Sequence, residues 1–158
     1  MLGKDAPKSL AAFKRLKKSD GENWKFMQLD YRRRSALLSD PSLALPCADT
    51  ATAADAKFEG YLFNPNNSDG NPKGVAFTRR LGYNINNWQE LQDEILKRAK
   101  IYPVKQGETD IFGTRYEQRI ILYGYKGKPA NVIIGWKHKE GRTWMTTAHL
   151  KEVKKWKE

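Results

Sequence analysis

Cysteine occurs once in the 158 residues, at Cys47, which excludes an internal disulfide framework and a cysteine-based zinc site and suits a reducing compartment. No apolar run approaches the roughly 20 residues that a membrane-spanning helix needs. The opening MLGKDAPKSL lacks the apolar stretch of a secretion signal, so export is expected only as part of a larger precursor. Acids are scarce toward the C-terminus: residues 113–158 hold only Glu117, Glu140, Glu152 and Glu158. No metal-ligand spacing is present there, and neither a metal nor a cofactor is expected. A P-loop, a dinucleotide-binding glycine pattern and a G-x-S-x-G elbow are also missing.

What the chain does have is positive charge. Lys and Arg number 29 against 18 Asp and Glu, a formal net charge of +11, which favours polyanionic or acidic partners. The excess is uneven. Residues 1–56 carry 10 basic and 7 acidic side chains, and residues 57–158 carry 19 and 11, so most of the field belongs to the C-terminal part.

Periodicity divides the chain into three parts. Residues 1–38 read as two short helices, the first capped by Ser9 with Leu10, Phe13 and Leu16 on one stripe, the second starting near Glu22 with Trp24, Met27 and Tyr31 at helical spacing. Residues 39–56, with two prolines and many alanines, hold neither a helical nor an alternating pattern and read as a linker. From Lys57 the pattern becomes that of a compact domain, 57–158. Phe58, Tyr61 and Leu62 predict a short helix running into the turn-rich NPNNSDGNP. A second helix opens at Lys73 and stops at Gly82, and a third runs from Trp88 to Ala99.

Beyond Pro103 the residues become β-branched and aromatic. TRYEQRIILY (114–123), ANVIIGWKH (130–138) and RTWMTTAHL (142–150) predict consecutive antiparallel strands, with a shorter one around Tyr102–Lys105. The fold class is therefore α+β, helices packed on a three- to four-stranded antiparallel sheet. With Glu140-Gly141 as a two-residue turn, His138 pairs with Thr143, Trp136 with Met145 and Ile134 with Thr147, and Val132 and His149 share that face. Both faces mix apolar and polar side chains, and alternation leaves open which one meets the helices.

These strands carry Arg115, Tyr116, Arg119, His138, Thr143, Thr146, Thr147 and His149. Such a mixture suits metal-free RNA cleavage, because RNA supplies its own 2′-hydroxyl nucleophile and the protein needs only proton carriers and groups that hold the developing phosphorane charge. The same residues also fit a basic module that binds nucleic acid without cutting it, with Trp136, Trp144 and Trp156 as stacking surfaces.

The succession KFEGYLFNP, GNPKGVAF, LGYNINNWQEL, IFGTRYEQRIILYGYKGKPANVIIGW and MTTAHL resembles the small C-terminal toxin domains of bacterial polymorphic toxins, including contact-dependent growth inhibition proteins and phage-related carriers. Such domains are similar to the barnase/EndoU/colicin/RelE superfamily of metal-independent ribonucleases, and the resemblance implies helices against an antiparallel sheet. It further implies tRNA as the substrate, 2′,3′-cyclic phosphate ends, an acidic cognate immunity protein and, in some such toxins, a host translation factor as helper. Delivery would be as the C-terminus of a secreted carrier acting in the target-cell cytoplasm, with residues 1–38 as a helical delivery segment.

Residue by residue, the resemblance places Lys73, Arg115 and Thr147 in the site. Family members often have a histidine after the Asn-Pro turn, where this chain has Asn66-Asn67, and that departure moves the acid/base role to His149 or His138. The expected catalytic set is His149, Thr147, Lys73, Arg115 and Tyr116. Lys57, Arg119, Lys137, His138 and Arg142 are the expected RNA contacts.

Overall fold

A computed structural model describes residues 23–154 and Trp156. Helix α1 (Asn23–Ser39) is followed by two short 3-10 turns, Pro41–Leu43 and Ala48–Thr50, and by a π-turn, Phe58–Leu62. Helices α2 (Asn71–Leu81) and α3 (Trp88–Arg98) then lead into strands β1 (Val104–Asp110), β2 (Gly113–Leu122), β3 (Ala130–Lys139) and β4 (Arg142–Leu150). The strands form one antiparallel sheet in the order β1-β2-β3-β4, an α+β architecture as expected. The helix expected from Ser9 lies outside the described residues.

Local chemistry sets the helix ends. Pro72 sits in the first turn of α2, where a missing N–H costs nothing, and Gly82 ends the helix at φ 84° with its N–H on the Phe77 and Thr78 carbonyls. Gly74 lets α2 lie directly on the π-turn, since a Cβ there would come within 1.7 Å of the Leu62 carbonyl oxygen.

The inner face of the sheet meets α2, α3 and the π-turn. Ile120, Leu122, Val132, Ile134, Trp136, Met145 and Ala148 pack there against Phe58, Leu62, Phe77, Leu81, Leu91 and Ile95. Gln118, fully buried among them, donates to the Ala99 and Tyr102 carbonyls and accepts from the Trp136 indole at 3.0 Å, so its amide is satisfied.

Helix α1 covers one half of the outer face. Phe26, Met27 and Leu29 pack on Ile121 and Tyr123, and Arg33 donates to Asn131 at 2.7 Å. Asp30, fully buried, accepts from the Tyr102 and Tyr123 hydroxyls, and Arg98 donates to the Tyr102 oxygen while pairing with Glu94 at 2.9 Å. Burial and the Asp30 carboxylate push both tyrosines well above their ordinary pKa. The described part of the expected delivery segment is thus built into the fold.

Three expectations are corrected. Residues 39–56 are fastened to the sheet: Thr52 exchanges backbone hydrogen bonds with Thr143 and Met145, and Leu45 and Ala53 enter the main core. The segment lacks periodicity because isolated side chains, not one face of a regular element, do the packing. Strand β1 runs to Asp110, well past Lys105. The β3–β4 register holds from Lys139↔Arg142 to Trp136↔Met145, then a bulge shifts it, so that Gly135 pairs with Thr147 and Ile134 with Ala148. That one extra residue, Thr146, turns Thr147 and His149 away from the Trp136 face.

Candidate functional site

The half of the outer face that α1 leaves uncovered is built in rows across β2, β3 and β4. Cα partners align Arg115, Lys137 and Trp144 in one row, Glu117, Gly135 and Thr147 in the next, and Arg119, Ile133 and His149 in the third. These residues share one face because side chains alternate along a strand. Lys105 of β1 pairs with Glu117 and extends the second row.

The second and third rows floor an open cleft of about 490 Å³, bordered by Lys105, Arg115, Glu117, Thr146, Thr147 and His149. Gly135 is what keeps its floor low. A Cβ there would meet Thr147 Cγ2 at 2.7 Å and Thr146 Oγ1 at 2.9 Å, so the bulge and the glycine together seat two threonines beside an empty strand position. The Thr147 hydroxyl is buried and makes no hydrogen bond to any described residue.

Electrostatics add a cation from outside the sheet. Lys73, in the first turn of α2, donates to the Tyr61 hydroxyl at 2.8 Å and lies 5.2 Å from that ring's centre, with Lys57 at 5.8 Å from the same ring. Its charge reaches His149. Partial burial, then Lys73 and Lys151, lower the His149 pKa below the ordinary histidine value, while Glu117 pulls it up.

Of the expected catalytic residues, His149, Thr147 and Arg115 border one cleft, and Lys73 acts on His149 through its field. Tyr116 also borders the cleft, but it belongs to the strand face of Gln118 and Trp136 and packs against the main core. Among the expected RNA contacts, Arg119 and Lys137 lie on the outer face, Arg142 is exposed beside the β3–β4 turn, and Lys57 flanks Tyr61.

His138 is on the inner face. Thr143 Oγ1 donates to the Pro46 carbonyl at 2.6 Å and takes a hydrogen bond from His138 Nδ1 at 2.8 Å, so this imidazole fastens residues 39–56 to the sheet.

Some cleft residues are not placed in the site from the sequence, Glu117 and Glu108 among them. Glu117 stands in the sequence only as one of the four acids of residues 113–158, whereas the structure pairs it with Arg119 at 4.0 Å and places it at the cleft beside Gly135. Thr146 stands in the sequence among the hydroxyl-bearing strand residues, but the bulge that seats it beside Gly135 has no mark in this stretch. Among the described residues no group of three His, Cys, Asp or Glu side chains is arranged to hold a metal ion. No helix among them is long and apolar enough to cross a membrane.

Residues 44–150, more than half of the chain, match a family described as Domain of unknown function (DUF6883). The match takes in the fastened segment 44–56, both inner-face helices and the whole sheet, and starts after α1. No curated protein and no solved structure matches the chain.

Proposed function

The chain belongs to the DUF6883 family, and we propose that it is a metal-independent endoribonuclease acting in the outer-face cleft, with tRNA as its substrate class. The observation that carries this is the convergence of Glu117, His149, Arg115 and the Thr146 hydroxyl on one cleft beside Gly135. The sequence resemblance supplies the biological setting: a toxin domain delivered by a larger carrier and restrained by an acidic immunity protein that covers the cleft of this basic chain.

In this mechanism the scissile phosphate lies in the open cleft between Glu117, Arg115 and His149, with Arg115 and Lys73 neutralising it. Glu117 takes the 2′-hydroxyl proton, the 2′-oxygen attacks phosphorus, and the bond to the 5′-oxygen breaks. His149 gives its proton to the departing 5′-oxygen. The products are a 2′,3′-cyclic phosphate and a 5′-hydroxyl, and no metal enters. The Thr146 hydroxyl donates to a phosphorane oxygen, where charge develops most strongly, and Thr147 packs beside it. The requirement for a 2′-hydroxyl confines the site to RNA.

Separate Glu117→Gln and His149→Ala variants test the assignment. Each is expected to lose about 10²- to 10⁴-fold in cleavage rate with RNA affinity kept. An unsubstituted protein that binds RNA with a steep salt dependence and never cuts it would instead be a binding module.

A further inference from the structure

The β1–β2 hairpin turns through Ile111 and Phe112, between the paired Asp110 and Gly113. Its shape is set by other groups. The Phe112 N–H donates to Asp110 Oδ1 at 2.8 Å, the Thr109 and Thr114 hydroxyls meet at 2.9 Å, and Gly113 takes φ 130° where a Cβ would strike the His138 carbonyl. The Phe112 N–H and Lys137 hold the Asp110 carboxyl below its usual pKa, consistent with that turn. None of this needs apolar side chains at the tip, where Gly, Asn and Asp are the usual residues.

Yet Ile111 is 78% exposed and Phe112 65% exposed. Lys137 is placed against the ring, its Nζ 5.3 Å from the Phe112 centre and 3.5 Å from Asp110 Oδ1. Lys139 Nζ, beside it, holds the Ile111 carbonyl at 2.6 Å. The ring is therefore carried at the hairpin tip against Lys137, an outer-face residue in the row of Arg115 and Trp144, with most of its surface open to solvent. Lys137 is two residues along β3 from Gly135, about 7 Å at the rise of a strand.

We propose that Phe112 is a stacking platform for one unpaired base of the RNA whose backbone lies in the cleft, so that the substrate is a single-stranded segment such as a loop. This rests on the ribonuclease reading for its site, and the occupant is argued from the open ring and the chain's net charge of +11: Arg115, Lys137 and Lys105 lie along the path from platform to floor, interleaved with Asp110 and Glu117. An aromatic face accepts any base, and a cation against the ring strengthens the stack while attracting the adjoining phosphate. Bases paired inside an A-form duplex cannot reach such a ring, whereas splayed loop bases can.

The test uses the full chain and a short single-stranded RNA with 2′-O-methyl riboses, which binds but cannot be cleaved, alone or annealed to its complement. Phe112→Ala is expected to weaken single-strand binding about tenfold and leave duplex binding unchanged. Phe112→Trp is expected to keep the affinity and to show quenched indole emission on binding the single strand. Equal single-strand affinity in Phe112→Ala, or equal loss for both probes, overturns the platform. So does a Phe112→Ala defect confined to phosphatidylserine vesicles. Because the probe is uncleavable, a protein that stacks it but leaves natural RNA intact supports the platform and overturns the ribonuclease reading alone.

Discussion

Gly135 faces Thr147 across the β3–β4 ladder so closely that a single added carbon would lie 2.7 Å from the threonine methyl. The absence of a side chain at one strand position is what lets the two threonines of β4 close over β3 at the wall of the cleft that Glu117 on β2 also borders.

Gly135→Ala is accordingly expected to cost about 1–3 kcal/mol of stability through overpacking and to abolish RNA cleavage. Denaturant midpoints and cleavage assays read the two effects. Gly60→Ala, where an added Cβ meets nothing within 4 Å, serves as the control and should keep both close to the unsubstituted values.

The lowered His149 pKa gives a pH signature. As the proton donor, His149 must be charged, so kcat/KM is expected to fall as pH rises through a value below the ordinary 6.5. Lys73→Ala removes a cation that opposes the charge, and should move that falling limb and the His149 NMR titration upward. An unchanged or downward shift would contradict the arrangement. For folding the sign is fixed too: the native state disfavours protonated His149, so this contribution to stability is present above the unfolded pKa and is lost as pH falls through the folded one.

Much of this fold is legible in the sequence. Val, Ile, Trp and Tyr alternation marks β2, β3 and β4, and glycine and proline mark the helix ends. Strand β1 escapes beyond Lys105 because KQGETD is polar throughout: it is an exposed edge, held by backbone pairing to β2. The site is less legible. Pairing counted from the Glu140-Gly141 turn holds as far as Trp136, and one inserted residue at Thr146 then reverses which face Thr147 and His149 occupy. Glu117 hides for a related reason, since a lone acid in a basic strand looks like charge balance until the empty position at Gly135 is seen beside it.

His138 and His149 are expected to behave oppositely. His138→Ala removes a hydrogen bond to Thr143 on the inner face and should cost about 1 kcal/mol of stability with the cleavage rate of the folded protein unchanged. His149→Ala should do the reverse, and thermal melts run beside single-turnover cleavage separate them.

Helix α1 is held by a buried carboxylate with two tyrosine partners. Asp30→Ala leaves the Tyr123 hydroxyl without its acceptor and Tyr102 with only the Ile121 carbonyl at 3.4 Å, at a cost of about 1–3 kcal/mol for the unsatisfied group. Amide hydrogen exchange should show faster opening of Asn23–Ser39, with cleavage retained at temperatures where the protein stays folded.

Incubating the protein with total bacterial RNA in EDTA, with and without cell extract, and sequencing the new ends tests the central claim most directly. Discrete cuts in tRNA ending in 2′,3′-cyclic phosphate and 5′-hydroxyl are the predicted result. RNA left intact under both conditions, or cut only when a divalent metal is restored, would contradict it.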